Sequence, residues 1–109
     1  MSGRARLPDR RPQITDKVEV GGQSYFISVG FQPSTWKPAE VFITGPKDGS
    51  QLGAICQDAA LVISIALQSG VGIEALAGSV ARLPEAGHPA ASVVGAALDL
   101  VKEHMPPVD

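Results

Sequence analysis

Two kinds of periodicity divide the chain. Residues 17–20 alternate polar and apolar, Gly21 and Gly22 interrupt, and then Tyr25, Ile27, Val29 and Phe31 take every second place. A period of two puts one set of side chains on one face of a strand, and Gly-Gly supplies the positive φ angles of a tight two-residue turn, so residues 17–31 predict a β-hairpin. Residues 32–38, with Pro33, Trp36 and Pro38, predict a loop, and residues 39–44 a third strand. A three-stranded antiparallel meander is the economical arrangement.

Beyond residue 44 the spacing becomes helical. Residues 45–49 break the chain, and Ser50 is placed to cap a helix because its hydroxyl can accept from an early free backbone N–H. The helix should run over residues 51–69 and close at a left-handed Gly70. Leu52, Ile55, Cys56, Ala59, Ile63, Ala66 and Leu67 fall on one side, while Leu61, Val62 and Ile65 spread round the other. That breadth exceeds one amphipathic stripe and predicts burial on most sides, against the sheet and against other helices or another subunit. Residues 72–82 predict a short second helix and residues 84–89 a loop. A third helix starts at Pro89 or Ser92, carries Val93, Val94, Ala97, Leu98 and Val101 as one stripe, and ends near His104. The expected fold class is α+β, a βββααα chain with the long central helix packed on the sheet. Residues 1–16 read as a basic amino-terminal arm and residues 17–109 as a single domain.

Composition adds partners to this picture. At 109 residues, 44% apolar and 18% charged, the chain can bury a modest core but has little charge to cover its surface, which points to a homo-oligomer, dimer or higher. A net charge of -2 argues against general nucleic-acid binding, although Arg4, Arg6, Arg10 and Arg11 make the arm basic. The single cysteine, Cys56, excludes an intramolecular disulfide and a cysteine zinc cage. A reducing cytoplasm is the expected compartment. No uninterrupted apolar run reaches 18 residues, so no membrane contact is expected.

The run A-E-V-F-I-T-G-P-K-D-G-S-Q-L, followed by S-I-A-L-Q-S-G-V-G-I-E, resembles the TSCPD-type domain at the carboxyl end of cobalamin-dependent, class II ribonucleotide reductases. The matching positions are Glu40, Val41, Phe42, Ile43, Lys47, Gly49, Ser50, Ser64, Ala66, Leu67, Gln68, Gly70, Val71 and Glu74. R-L-P-D-R-R at residues 6–11 and G-A-A-L-D-L at residues 95–100 extend the resemblance over most of the chain. The cysteine-bearing signature of that family would fall near Ala91 and Ser92, where this chain reads A-A-S-V-V-G. The resemblance therefore carries no thiol or metal role here. The reductase barrel, cobalamin site and radical cysteines have no counterpart in these 109 residues, so it implies a stand-alone, degenerate copy of an appended domain without reductase activity.

Several residues have the chemistry for a binding site. The turn G-P-K-D-G-S reads first as a strand-to-helix connection with a serine cap; as an anion site it would offer backbone N–H groups near Gly49, the Lys47 charge and the Ser50 hydroxyl. It lacks the phosphate-loop spacing, and Asp48 opposes an anion. Arg6, Arg10 and Arg11 suit a bidentate phosphate contact, a neighbouring subunit's carboxylates, or a solvated arm. Glu40 begins a strand, and Asp58 sits among Ile55, Leu61 and Val62; each reads as half of an arginine brace across a subunit boundary, or as an acceptor for a ribose hydroxyl or base N–H. Trp36 could stack on a base or lid a core edge. His88 and His104 stand alone, Cys56 reads as inert packing, and no acid, base and nucleophile set is visible.

The function expected is a non-catalytic oligomeric binding module for a phosphorylated nucleotide or a nucleotide-derived signalling molecule, with no cofactor, sequestering that signal if the chain is viral. The alternative is a regulatory or assembly partner of a nucleotide-metabolising enzyme such as a ribonucleotide reductase, acting through protein contacts.

Overall fold

The computed structural model describes residues 12–45, 51–80, 82–83 and 90–106. Three strands, β1 (Gln13–Val20), β2 (Gln23–Gln32) and β3 (Lys37–Thr44), form an antiparallel sheet in the order β1-β2-β3. Three helices follow: α1 (Gln51–Gln68), α2 (Ile73–Ala77) and α3 (Val93–Glu103). The βββααα order and the α+β class are those the residue pattern predicts. Gly21 and Gly22, at φ 60° and 80°, make the expected tight turn, and Val20 pairs with Gln23 across it. β1 begins at Gln13, inside the stretch read as arm. Ile14 continues the inward set, but Asp16 occupies an inward place in the alternation and concealed it.

One face of the sheet is the core. Tyr25, Ile27, Val29 and Phe31 of β2 and Val41 and Ile43 of β3 are buried there beneath Val93, Ala97, Leu98 and Val101 of α3. The other face carries Thr15, Ser28, Phe26 and Phe42, the last two about half exposed. A register shift between Gly30 and Phe31 pairs them with Glu40 and Pro38, leaving Ala39 as the extra residue of a bulge.

α1 does not lie flat over the sheet. It packs along β3, an edge strand, and its side chains take the edge's main-chain groups: Val41 N–H donates to Ser64 Oγ at 2.8 Å, and the carboxamide of Gln68 donates to Ala39 C=O at 2.8 Å. A helix laid along the edge covers hydrogen-bonding groups that would otherwise be open to water or to another chain. The expectation that α1 is buried on most sides is not met within one subunit. Cys56, Ala60, Ile63 and Ser64 are buried, whereas Leu52, Ile55, Leu61, Val62 and Ile65 are exposed. The reason is geometric: one edge strand and one flanking pair of helices reach only part of a helix circumference.

Gly70, at φ 86°, closes α1 as predicted. Val71 N–H reaches Ala66 C=O and Gly70 N–H reaches Leu67 C=O, the paired bonds of a Schellman termination. α2 stops at Ala77 rather than near residue 82. Gly78 follows it, the Ser79 hydroxyl turns back to Ala75 C=O, and Arg82 is drawn away to α3. α3 starts with Ser92, whose hydroxyl accepts from Gly95 N–H. The place where the family signature would carry cysteine is thus the cap of a helix.

Candidate functional site

The β3–α1 contact holds more than an edge cap. Ser64 Oγ, buried, accepts from Val41 N–H and lies 3.2 Å from Val41 C=O and 2.8 Å from Ala60 C=O. One hydroxyl so placed ties a strand to a helix and leaves little freedom between them. Beside it opens a cleft of about 380 Å³, lined by Glu40, Phe42 and Thr44 of β3 and by Gln57, Leu61, Ser64 and Gln68 of α1. Gln57, Leu61, Ser64 and Gln68 are spaced four, three and four apart, so one helical stripe presents them all. Phe42 is 47% exposed and offers a ring face at the rim. Gln68 Oε1 is fully buried and has no hydrogen-bond partner among the described residues, because the amide nitrogen is committed to Ala39. An acceptor in that position can take an N–H from a bound molecule, and leaving it unmet is unfavourable.

Two further concavities flank α1 and the sheet. A groove of about 530 Å³ runs between α1 and the α2–α3 pair, and only Asp58 and Ser79 among its lining residues are polar. An aromatic corner of about 460 Å³ is formed by Phe31, Trp36, Glu103, His104 and the residues around them. Phe31 stands 6.3 Å from Trp36 and edge-on to His104 at 6.1 Å. Trp36 is 60% exposed and has φ 57°, a left-handed conformation set by the loop, in which Gln32 C=O accepts from both Thr35 and Trp36 N–H.

The residues expected to bind ligand are therefore not gathered at one place. Glu40 lines the seam cleft, Asp58 the apolar groove and Trp36 the aromatic corner. Asp58 is exposed on α1, so its charge meets solvent within the subunit. Arg6, Arg10, Arg11, Lys47, Gly49 and Ser50 lie outside the described residues, as does His88. Phe42, Gln57 and Gln68 had no place in the expected site. The legible signal was that Gln57, Ser64 and Gln68 are polar residues on one stripe of an otherwise apolar helix.

Other polar contacts are structural. Arg82 donates from both terminal nitrogens to Asp99, at 2.6 and 2.8 Å, and also to Ala77 C=O, which joins the segment after α2 to α3. The hydrogen bonds to Asp99 hold the guanidinium above its already high ordinary value. Lys102 and Glu74 pair at 3.1 Å on the surface. Burial pushes the Cys56 thiol up, away from the thiolate that nucleophilic chemistry needs. Among the described residues no three His, Cys, Asp or Glu side chains are grouped to hold a metal ion.

Comparison with known proteins places this geometry in a family. The TSCPD domain model matches residues 3–105. The chain is 38% identical over 87 residues to a vitamin B12-dependent ribonucleotide reductase of Rhodopirellula baltica, an overlap of 78% of this chain and 8% of that protein. It is 32% identical over 74 residues to the enzyme of the same description in Bradyrhizobium diazoefficiens, covering 68% of this chain and 6% of that protein. In the Agrobacterium fabrum enzyme the figures are 35% over 71 residues, 65% and 6%. The chain thus spans less than a tenth of the length of these curated relatives. No solved structure matches it. Ser64 and Gln68, two of the positions that carry the resemblance, are the side chains that fasten α1 to β3, and on sequence match and fold together the chain belongs to the TSCPD domain family.

Proposed function

We propose that the domain is a non-catalytic, oligomeric binding module whose ligand is a phosphorylated nucleotide or a nucleotide-derived signalling molecule, seated in the β3–α1 cleft. The observation that carries this reading is the cleft's pairing of an exposed ring, Phe42, with a buried acceptor, Gln68 Oε1, that no described donor reaches. A nucleobase offers both complements, a π face for stacking and N–H groups for the carbonyl. Glu40 and Gln57 add an acceptor and a carboxamide on the same walls, suited to ribose hydroxyls. Thr44, the last residue of β3, lines the cleft and precedes in sequence the connection that carries Lys47, Gly49 and Ser50, whose chemistry suits the phosphate. In a chain of viral origin such a module would sequester the signal.

A thermal-shift screen with nucleoside triphosphates, dinucleotides and cyclic dinucleotides tests it. A ligand present at about 100 times its Kd adds about 2.7 kcal/mol to the folded state. For a domain of this size that is an upward shift on the order of 10 °C. Phe42→Ala should remove most of the shift while lowering the unliganded melting temperature by only about 5 °C, since half of the ring is already in water. Millimolar nucleotides of all three classes without effect would sink the reading.

The relatives favour a second reading. In each reductase the matching segment is a small part of a much longer protein. A domain of that kind could act as a regulatory or assembly partner of a nucleotide-metabolising enzyme. Pull-down with a purified class II reductase, with and without nucleotide, separates this reading from the first.

A further inference from the structure

α1 is the least covered element for its composition. Four of its 18 residues are buried, its one charged residue is Asp58, and by length and composition it meets the limits of a membrane-crossing helix. On the side of α1 away from the β3 cleft, Leu52, Ile55, Val62 and Ile65 are between 37% and 65% exposed. We propose that this face joins two copies of the chain, α1 against α1 across a two-fold axis near Val62, each helix entering the groove between the other copy's α1 and its α2–α3 pair. The proposal builds on the oligomeric part of the function above and specifies the surface that makes it.

The spacing of the face supports a helix as its occupant. Leu52, Ile55, Ala59, Val62, Ala66 and Ser69 follow one another at intervals of three, four, three, four and three, the repeat of a helix that packs along another helix. Ala59 and Ala66 on α1 and Ala75 on α2 keep the groove floor low, and small side chains let two backbones approach closely. The ridge formed by Ile55 and Val62 borders the groove it would fill. A surface that carries both members of a complementary pair on one element is self-complementary, which is the requirement of a closed two-fold interface.

Area and charge select a second copy over other partners. Leu52, Ile55, Val62 and Ile65 leave roughly 300 Å² of apolar surface in water, the size of a monomer's largest patch, which is often functional. Asp58, Ser69 and Leu76 at the margin and the walls of the groove extend the contact toward the ~800 Å² per partner that a stable pair buries. The patch holds no Lys or Arg, so it lacks the charge pattern by which unlike partners are usually selected and the cationic residues that draw an amphipathic helix to anionic lipid. Asp58, at its margin, also disfavours insertion into a bilayer.

Sedimentation equilibrium and light scattering of the full chain, from about 1 to 100 μM, test the interface. The expected result is a dimer, or an even-numbered assembly of dimers. Val62→Arg, at a site 65% exposed, should weaken association by at least 100-fold with an unchanged far-ultraviolet circular dichroism spectrum, because two long charged side chains cannot enter a close helix contact at the axis. Val62→Cys should form an inter-subunit disulfide on mild oxidation while the buried Cys56 does not. A wild-type monomer at 100 μM would overturn both the interface and the oligomeric part of the proposed function. An oligomer untouched by Val62→Arg but dissociated by Phe42→Arg would overturn this interface and leave oligomerisation standing, as would binding of the wild type to neutral phosphatidylcholine vesicles abolished by the same Val62 variant. A monomeric Val62→Arg that still shows the nucleotide thermal shift upholds the interface and separates it from ligand binding.

Discussion

Ser64→Ala is the sharpest test of how the fold is held. The hydroxyl accepts from Val41 N–H at 2.8 Å and faces Val41 and Ala60 carbonyls at 3.2 and 2.8 Å. Val41 is 1% exposed, so no water replaces the lost partner. An orphaned buried N–H costs about 1–3 kcal/mol, and loss of the single hydroxyl proton, nearest to Ala60 C=O, adds about 0.5–1 kcal/mol. Against this, alanine removes a buried hydroxyl and improves helix propensity by about 0.5 kcal/mol. The net expectation is a loss of about 2 kcal/mol, or roughly 10 °C in melting temperature for a domain of this length. Urea denaturation followed by circular dichroism measures it, with an unchanged m-value showing that the denatured state is not the cause. Amide exchange adds the local signature: the Val41 N–H should lose more protection than its neighbours on β2. Gln68→Met is the comparison. It breaks the bond to Ala39 but also removes the unmet Oε1, so its loss should stay below about 1 kcal/mol. A Ser64→Ala loss under 0.5 kcal/mol, or one no larger than that of Gln68→Met, would refute the assignment of the helix–strand clamp to this hydroxyl.

Other expectations follow from single contacts. Gly70→Ala should destabilise by about 1 kcal/mol in the same urea assay: a Cβ there would meet open space, but φ 86° is a backbone conformation that residues other than glycine rarely adopt. Gly95→Ala gains helix propensity, but the new Cβ would stand 2.8 Å from Ala90 Cβ and 3.3 Å from Val80, so a net loss of about 1 kcal/mol is expected and a stabilised variant would contradict the packing. Cys56 has its folded pKa raised by burial, so its contribution to stability is complete below about pH 8.5, the unfolded value, and falls as pH rises toward the folded one. The alkaline decline in stability should accordingly be shallower in Cys56→Ala, and a thiol reagent at pH 8 should label the native chain only as fast as it unfolds.

The elements with a clean period were readable from the residues. Tyr25 to Phe31 gave the central strand, Gly21-Gly22 the turn, Gly70 the end of α1 and Ser92 the start of α3. What escaped had identifiable causes. Asp16 broke the alternation that would have carried β1 back to Gln13, and the termination of α2 at Ala77 depends on Arg82 reaching Asp99, a pairing across 17 residues that no local rule supplies. The placement of α1 beside β3, instead of flat on the sheet, was encoded in Ser64 and Gln68, but polar residues on an apolar helix name a need without naming the partner. The expected site fared in proportion. Glu40 reached a cleft, while Asp58 and Trp36 went to other surfaces because the β2–β3 loop and the outer side of α1 are carried away from the seam.

The clamp at the β3 edge also restricts how this domain can be recognised. Many modules capture extended peptides by lending them a sheet edge, so that main-chain groups of host and guest pair. At Ala39 and Val41 of β3 those groups are already answered by a carboxamide and a hydroxyl from the domain's own helix. Whatever meets this stretch of the edge must be read through side chains, and a change of specificity can come from substitution on α1 without disturbing the ladder of the sheet.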